Sequence, residues 1–271
     1  MHRILSLVCA AALLASCKQD AALPQPRISG APDSVLAAGS LLTLSADRDV
    51  AWLVPDSLRI RSSSRELQVR LPAGRLAVEA LLLADSSRRD TAHLLASPRA
   101  ALLNRLRAGG LILYFRHAYA QQGVDRTDFP AGWHWSCSPD TARQLSPEGL
   151  AQLPAMAEAF RLLELPLEDT VWCSEFCRVR RSAEGWFPGA ELQIVPALTY
   201  LVYDEPGRQA RIEAFIASRR PGARNSLIVA HAWGEGTVWP ELKQAACAVF
   251  RPGSSPEFLG ILTDSEFRVF K

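Results

Sequence analysis

At Pro98 the hydrophobic rhythm of this 271-residue chain changes, and the change constrains what either half can fold into. Downstream, bare apolar runs alternate with stretches at helical spacing. Arg99 to Ala108 reads as a helix with Leu102, Leu103 and Leu106 on one face, ended by Gly109-Gly110. Leu111 to Phe115, Thr170 to Cys173, Leu192 to Val195 and Leu227 to Ala230 read as strands. Between them lie a helix from Ser146 and Pro147 through Leu163, one through Trp186 and one over Arg208 to Ala217. Ala245 to Phe250 and Glu257 to Leu262 read as a closing antiparallel pair. Uninterrupted apolar strands alternating with helices predict a three-layer α/β domain over 98–271, with a mostly parallel sheet covered on both faces.

Upstream, over 28–97, the period is two. Leu67, Val69 and Leu71 alternate with Glu66, Gln68 and Arg70. Strands are expected at 40–46, 49–54, 58–62, 66–71, 75–84 and 90–96, with Trp52 as a core aromatic. Six or seven short strands in so short a segment fit an all-β sandwich of immunoglobulin-like type, a spacer or binding module. Residues 17–27 are a polar tether with Pro24 and Pro26. The first 16 residues read as an address: an apolar run from Ile4 to Leu14 after His2-Arg3 is too short to span a bilayer and suits a signal peptide. It ends Leu14-Ala15-Ser16-Cys17, which resembles the bacterial lipoprotein processing box. The expectation is an exported chain anchored to the bacterial envelope by lipid on Cys17. Lys18 points to the outer membrane, with the protein periplasmic or surface-exposed.

Lys+Arg total 30 against 28 Asp+Glu. A balance that even excludes an overall basic nucleic-acid binder. Only Lys18, Lys243 and Lys271 are lysine, so any anion site must be built from guanidinium groups, which grip phosphate bidentately. Without Cys9 and Cys17, four cysteines remain in the exported chain, at 137, 173, 177 and 247, with three possible pairings. The mature histidines lack zinc-ligand spacing, and no cofactor is expected.

In parallel sheets, ligands bind beyond the carboxyl ends of the strands. There the sequence places Arg116-His117-Ala118, then Ser174-Glu175-Phe176-Cys177-Arg178, then His231. These three motifs, in this order, resemble the histidine phosphatase superfamily, to which the phosphoglycerate mutases also belong. Leu145-Ser146-Pro147-Glu148-Gly149 fits a fourth family pattern, and the resemblance spans about Leu111 to Phe267. It implies that His117 is a nucleophile that becomes phosphorylated, with Arg116, Arg178 and His231 around the same phosphoryl group and no metal. The implied reaction is phosphomonoester hydrolysis, acting on a phosphorylated small molecule or an envelope glycan or lipid phosphate.

The general acid departs from the pattern. Ala232 follows His231, so the acid-phosphatase His-Asp pair is absent. Glu205 is the favoured acid, with Asp204 and Glu235 as alternatives. Cys137 and Cys177 match an arrangement in small exported family members, which implies a Cys137–Cys177 bridge; Cys173–Cys247 is a second, weaker pairing. Trp133-His134-Trp135 either lines the pocket or packs over the sheet edge. The rivals to an enzyme are a degenerate domain that binds phosphorylated ligands without turnover, and an adhesion lipoprotein acting through its sandwich.

Overall fold

The computed structural model of this protein describes residues 23–55, 61–125, 131–203, 206–233 and 237–271. The expected signal segment, Cys17 and the three candidate acids Asp204, Glu205 and Glu235 lie outside the described residues, as does the start of the strand expected at 58–62.

The described residues of the N-terminal part form eight strands: β1 (Ile28–Ser29), β2 (Leu36–Ala37), β3 (Leu41–Ala46), β4 (Val50–Leu53), β5 (Arg61–Ser63), β6 (Glu66–Arg70), β7 (Gly74–Leu82) and β8 (Asp85–Ser97). They form a three-stranded sheet, β1-β3-β6, and a five-stranded sheet, β2-β8-β7-β4-β5. Leu44, Leu67 and Val69 of the first share one apolar cluster with Val50, Trp52, Leu76, Val78 and Leu94 of the second. The period-two pattern dictates this, because each strand turns one face inward. Trp52 is buried there, and its Nε1–H donates to the Ser64 carbonyl at 2.8 Å. Asp85 to Ser87, between the strands expected at 75–84 and 90–96, instead opens the long strand β8, and the hairpin turns at Leu83-Ala84. The Asp85 carboxylate accepts from Ser87 N and Oγ and from Arg88 Nε, so its polar neighbours are satisfied along the strand's exposed side.

The rest of the chain runs α1 (Ala100–Ala108), β9 (Ile112–Arg116), α2 (Pro147–Leu162), β10 (Leu167–Cys173), α3 (Cys177–Trp186), β11 (Glu191–Ile194), α4 (Arg208–Ser218), β12 (Asn225–Ala230), β13 (Cys247–Arg251), β14 (Glu257–Leu262) and α5 (Asp264–Arg268). The six strands form one sheet in the order β11-β10-β12-β9-β13-β14. The first four are mutually parallel; β13 is antiparallel to β9 and to β14. Both faces are covered. Leu113, Phe115, Leu227, Val229 and Val249 face a core completed by α1, α2, α3 and α5. Ile112, Tyr114, Ile228, Ala230 and Phe250 face Ile212 and Ile216 of α4 on the other side. Two buried faces are why these strands carry no polar alternation.

The helix over 147–162 starts where its cap dictates. The Ser146 Oγ accepts from Gly149 N at 3.1 Å, and Pro147 occupies the first turn. The two parts of the chain meet at Val35, whose N–H donates to Asn104 Oδ1 and whose carbonyl accepts from Asn104 Nδ2, both at 2.8 Å.

A candidate active site at the strand ends

Sheet register decides which side chains converge. Ala230 of β12 pairs with Arg116 of β9, and Val229 pairs with Cys173 of β10. The next residue on each neighbouring strand end is therefore His231, His117 or Ser174. His117 N–H donates to the Ala230 carbonyl (3.0 Å), and Ser174 N–H to that of Val229 (3.3 Å). The His117 and His231 ring centroids lie 5.4 Å apart, edge to face. Arg178, in the first turn of α3, reaches the same place: its Nε–H donates to His117 Nε2 at 3.3 Å. The helix start contributes its partial positive charge to the same region. Arg116 extends beside them, donating from Nη1 to the Leu242 carbonyl at 2.9 Å.

The tautomer of His117 follows from its partners. Its Nδ1 lies 2.7 Å from the Ala118 carbonyl, which can only accept. The proton is on Nδ1, and Nε2 carries the lone pair. Burial holds the His117 imidazole well below its ordinary pKa, and the Arg178 guanidinium adds to this. Burial, then Arg178 and His117, do the same to His231. Both rings are neutral at neutral pH. His231 Nε2 is 2.8 Å from Ser174 Oγ, and its carbonyl accepts from the buried Tyr114 hydroxyl at 3.0 Å. Two buried polar atoms of this cluster, His231 Nδ1 and Arg116 Nε, have no hydrogen-bond partner among the described residues. Such orphans are costly unless a ligand satisfies them.

Three neighbours escaped the sequence reading. Asp125 receives Arg178 in a bidentate pair, Nη1 to Oδ1 at 2.9 Å and Nη2 to Oδ2 at 2.8 Å. Arg143 brings its Nε to 3.5 Å from Asp125 Oδ2, and its charge also depresses His117. Tyr200 donates a short hydrogen bond to Asp125 and packs its ring on His231, centroids 4.4 Å apart. Arg143 had one available signal: it stands two residues before the Leu145-Ser146 helix start, and the Ala120–Leu145 bridge draws that start back toward His117. Asp125 and Tyr200 lie in loops whose paths no pattern specifies.

His134 is buried with its Nε2 3.4 Å from Glu175 Oε2, and Tyr203 Oη donates to Glu175 Oε1 at 3.0 Å. Arg180 donates to the Trp135 carbonyl at 2.6 Å and lies over the Trp135 ring. The Trp-His-Trp segment thus packs over the sheet edge around Phe176. Cys137 and Cys177 are disulfide-bonded, Cα atoms 5.2 Å apart, tying this loop to the residue before Arg178. The second expected bridge does not form. Cys173 and Cys247 are free and buried. Their strands, β10 and β13, are separated by β12 and β9, a span of about 14 Å at ordinary strand spacing, beyond any disulfide.

No family model matches the chain, and no curated protein matches it. Among solved structures it is similar to the protein histidine phosphatase SixA complexed with tungstate, at 16% identity and TM-score 0.41, over 57% of this chain and 97% of that one. A putative phosphohistidine phosphatase SixA from Nakamurella multipartitia gives 18% identity and TM-score 0.39, over 57% and 97%. A putative alpha-ribazole-5'-P phosphatase from Escherichia coli K-12 gives 14% and 0.43, over 58% and 98%. These neighbours are members of the histidine phosphatase superfamily.

Proposed function

We propose that this chain hydrolyses phosphomonoesters through a phosphohistidine on His117. The observation that carries this reading is the state of one atom: His117 Nε2 carries its lone pair within a cluster containing Arg116, Arg178 and His231. A neutral imidazole fixed in this tautomer attacks phosphorus without first losing a proton. The transferring group presents anionic oxygens, and guanidinium forks and an imidazole N–H meet them. Arg116 Nε and His231 Nδ1, both unpartnered among the described residues, are suited to that task. As the phosphorus–nitrogen bond forms, the bond to the leaving oxygen breaks, and that oxygen takes a proton. Glu205 is assigned this proton on sequence grounds alone. Water then attacks the phosphohistidine, releasing inorganic phosphate and regenerating the neutral ring. The guanidiniums supply the positive charge, so the reading assigns no metal.

The same proposal places the enzyme in the bacterial envelope, exported and anchored through lipid on Cys17, with the N-terminal strands as an immunoglobulin-like spacer. Its substrate is a phosphorylated small molecule or an envelope glycan or lipid phosphate. The test is hydrolysis of a chromogenic phosphomonoester with acid-quench trapping of labelled protein. The expected result is a label on His117 and no turnover by His117→Ala. Equal turnover by that variant overturns the mechanism.

A further inference from the structure

Arg178 has five N–H donors, and every one has a protein acceptor. Nε donates to His117 Nε2. Nη1 donates to Asp125 Oδ1 and to the Arg143 carbonyl at 3.2 Å; Nη2 donates to Asp125 Oδ2 and to Tyr200 Oη at 3.2 Å. The side chains of Arg178 and Asp125 are both fully buried. With Asp125 seated there, no donor of Arg178 is left for a phosphoryl oxygen.

The surroundings of the Asp125 carboxylate have the form of an oxyanion site. It accepts from both terminal nitrogens of Arg178, from the Tyr200 hydroxyl and from Arg143 N at 3.1 Å, with Arg143 Nε at 3.5 Å. Two guanidiniums, a phenol and a backbone N–H around two oxygens would serve two oxygens of a phosphoryl group equally well. Burial pushes the Asp125 carboxyl up, but Arg178 and the hydrogen bonds from Tyr200, Arg178 and Arg143 hold it below the ordinary value, so it is an anion at neutral pH. Arg116, Arg143 and Tyr200 are only half-buried and mark the way in from solvent.

We propose that Asp125 is a specificity-determining residue: its carboxylate is an internal competitor seated in the phosphoryl-binding fork of Arg178, displaced only by an incoming dianion. This rests on the phosphatase reading above and gives its selectivity a structural source. A monoanion that replaces a carboxylate gains no charge in the fork, whereas a phosphomonoester dianion gains one. The site therefore selects phosphomonoesters over phosphodiesters and sulfate monoesters.

The probe is inorganic phosphate near pH 8, its binding to the mature chain measured by calorimetry. Asp125→Asn should tighten phosphate by about tenfold or more, because a neutral amide competes far less well than a charge-assisted pair. It should also improve binding of dimethyl phosphate, a monoanion. Glu241→Gln removes a carboxylate that lies near Arg116 without entering the fork, and sets the baseline for bulk charge. It should change affinity by about twofold at most, as expected for a screened charge. Asp125→Ser removes the carboxylate and leaves every donor in place, so it too should tighten phosphate; it carries the test if Asp125→Asn does not fold. A purely structural Asp125 predicts weaker binding in the variants. If wild type binds phosphate and Asp125→Asn binds it equally or less well, the competitor idea fails and the phosphatase reading stands. If neither binds phosphate, both fail.

Discussion

At the scale of single residues, function and stability meet in the two imidazoles. Unfolded, each ring takes up a proton near 6.5; folded, burial and then Arg178 keep it neutral to much lower pH. Below pH 6.5 the unfolded chain therefore binds more protons than the native one. Stability is complete above that value and is lost as pH falls toward the depressed folded values, by about 1.4 kcal/mol per pH unit for each ring. Urea unfolding at pH 7.5, 6 and 5 should show this loss in wild type and a shallower one in the His117→Ala/His231→Ala double variant. Equal slopes would mean that other groups govern the acid limb. On the proposed reading the same depression keeps the His117 lone pair unprotonated in mild acid, so a kcat profile should show no loss of activity from His117 near pH 6.

At the scale of elements, Gly149 links the start of α2 to the site. A Cβ at this glycine would stand 1.9 Å from the Tyr119 carbonyl oxygen, two residues after His117. The same carbonyl accepts from Ser146 N at 2.9 Å, so helix start and motif loop are clamped together. Gly149→Ala should destabilise the protein by roughly 1–3 kcal/mol through overpacking and lower kcat by displacing the His117 loop. Gly189→Ala makes the comparison, since nothing lies near a Cβ there; its cost is confined to its left-handed backbone. Thermal melts and turnover on both variants check this. Elements long enough to show a period were legible in the sequence. The apolar runs at Leu111, Thr170 and Leu227 and the capped helix at Ser146 all appear within a few residues of their expected bounds. Strands β1 and β2, two residues each, and the five-residue α5 are too short for a period to register. Site legibility divides the same way. His117, Ser174 and His231 follow strands and can be counted off, whereas Asp125 and Tyr200 reach Arg178 through loops that only tertiary packing fixes.

At the scale of the whole molecule, the Cys137–Cys177 bond matters most. It joins residues 40 apart in sequence, and its second sulfur belongs to the neighbour of Arg178. In the chain-entropy model such a closure contributes roughly 3–4 kcal/mol. Denaturant unfolding of the Cys137→Ser/Cys177→Ser variant should show a loss of that size, together with reduced turnover as the helix start that carries Arg178 loses its tie to the loop at Cys137. Full activity in the variant would mean that the loop is held by packing alone. The two buried thiols, Cys173 and Cys247, play no part in this. Burial pushes Cys173 up to about 12 and also raises Cys247, so neither forms a reactive thiolate in the native protein.

The distance between the two imidazoles has a source that loops do not control. His117 and His231 each stand one residue beyond paired positions on adjacent parallel strands, and their rings are 5.4 Å apart. Adjacent strands sit about 4.8 Å apart in every sheet, whatever side chains they carry. The backbone therefore acts as a gauge block whose width is a constant of polypeptide geometry. Core substitutions leave that width alone, and lengthening a loop does not open it. On the phosphatase reading, a group held between the two rings is therefore sized by hydrogen-bond length, whatever the loops around it become.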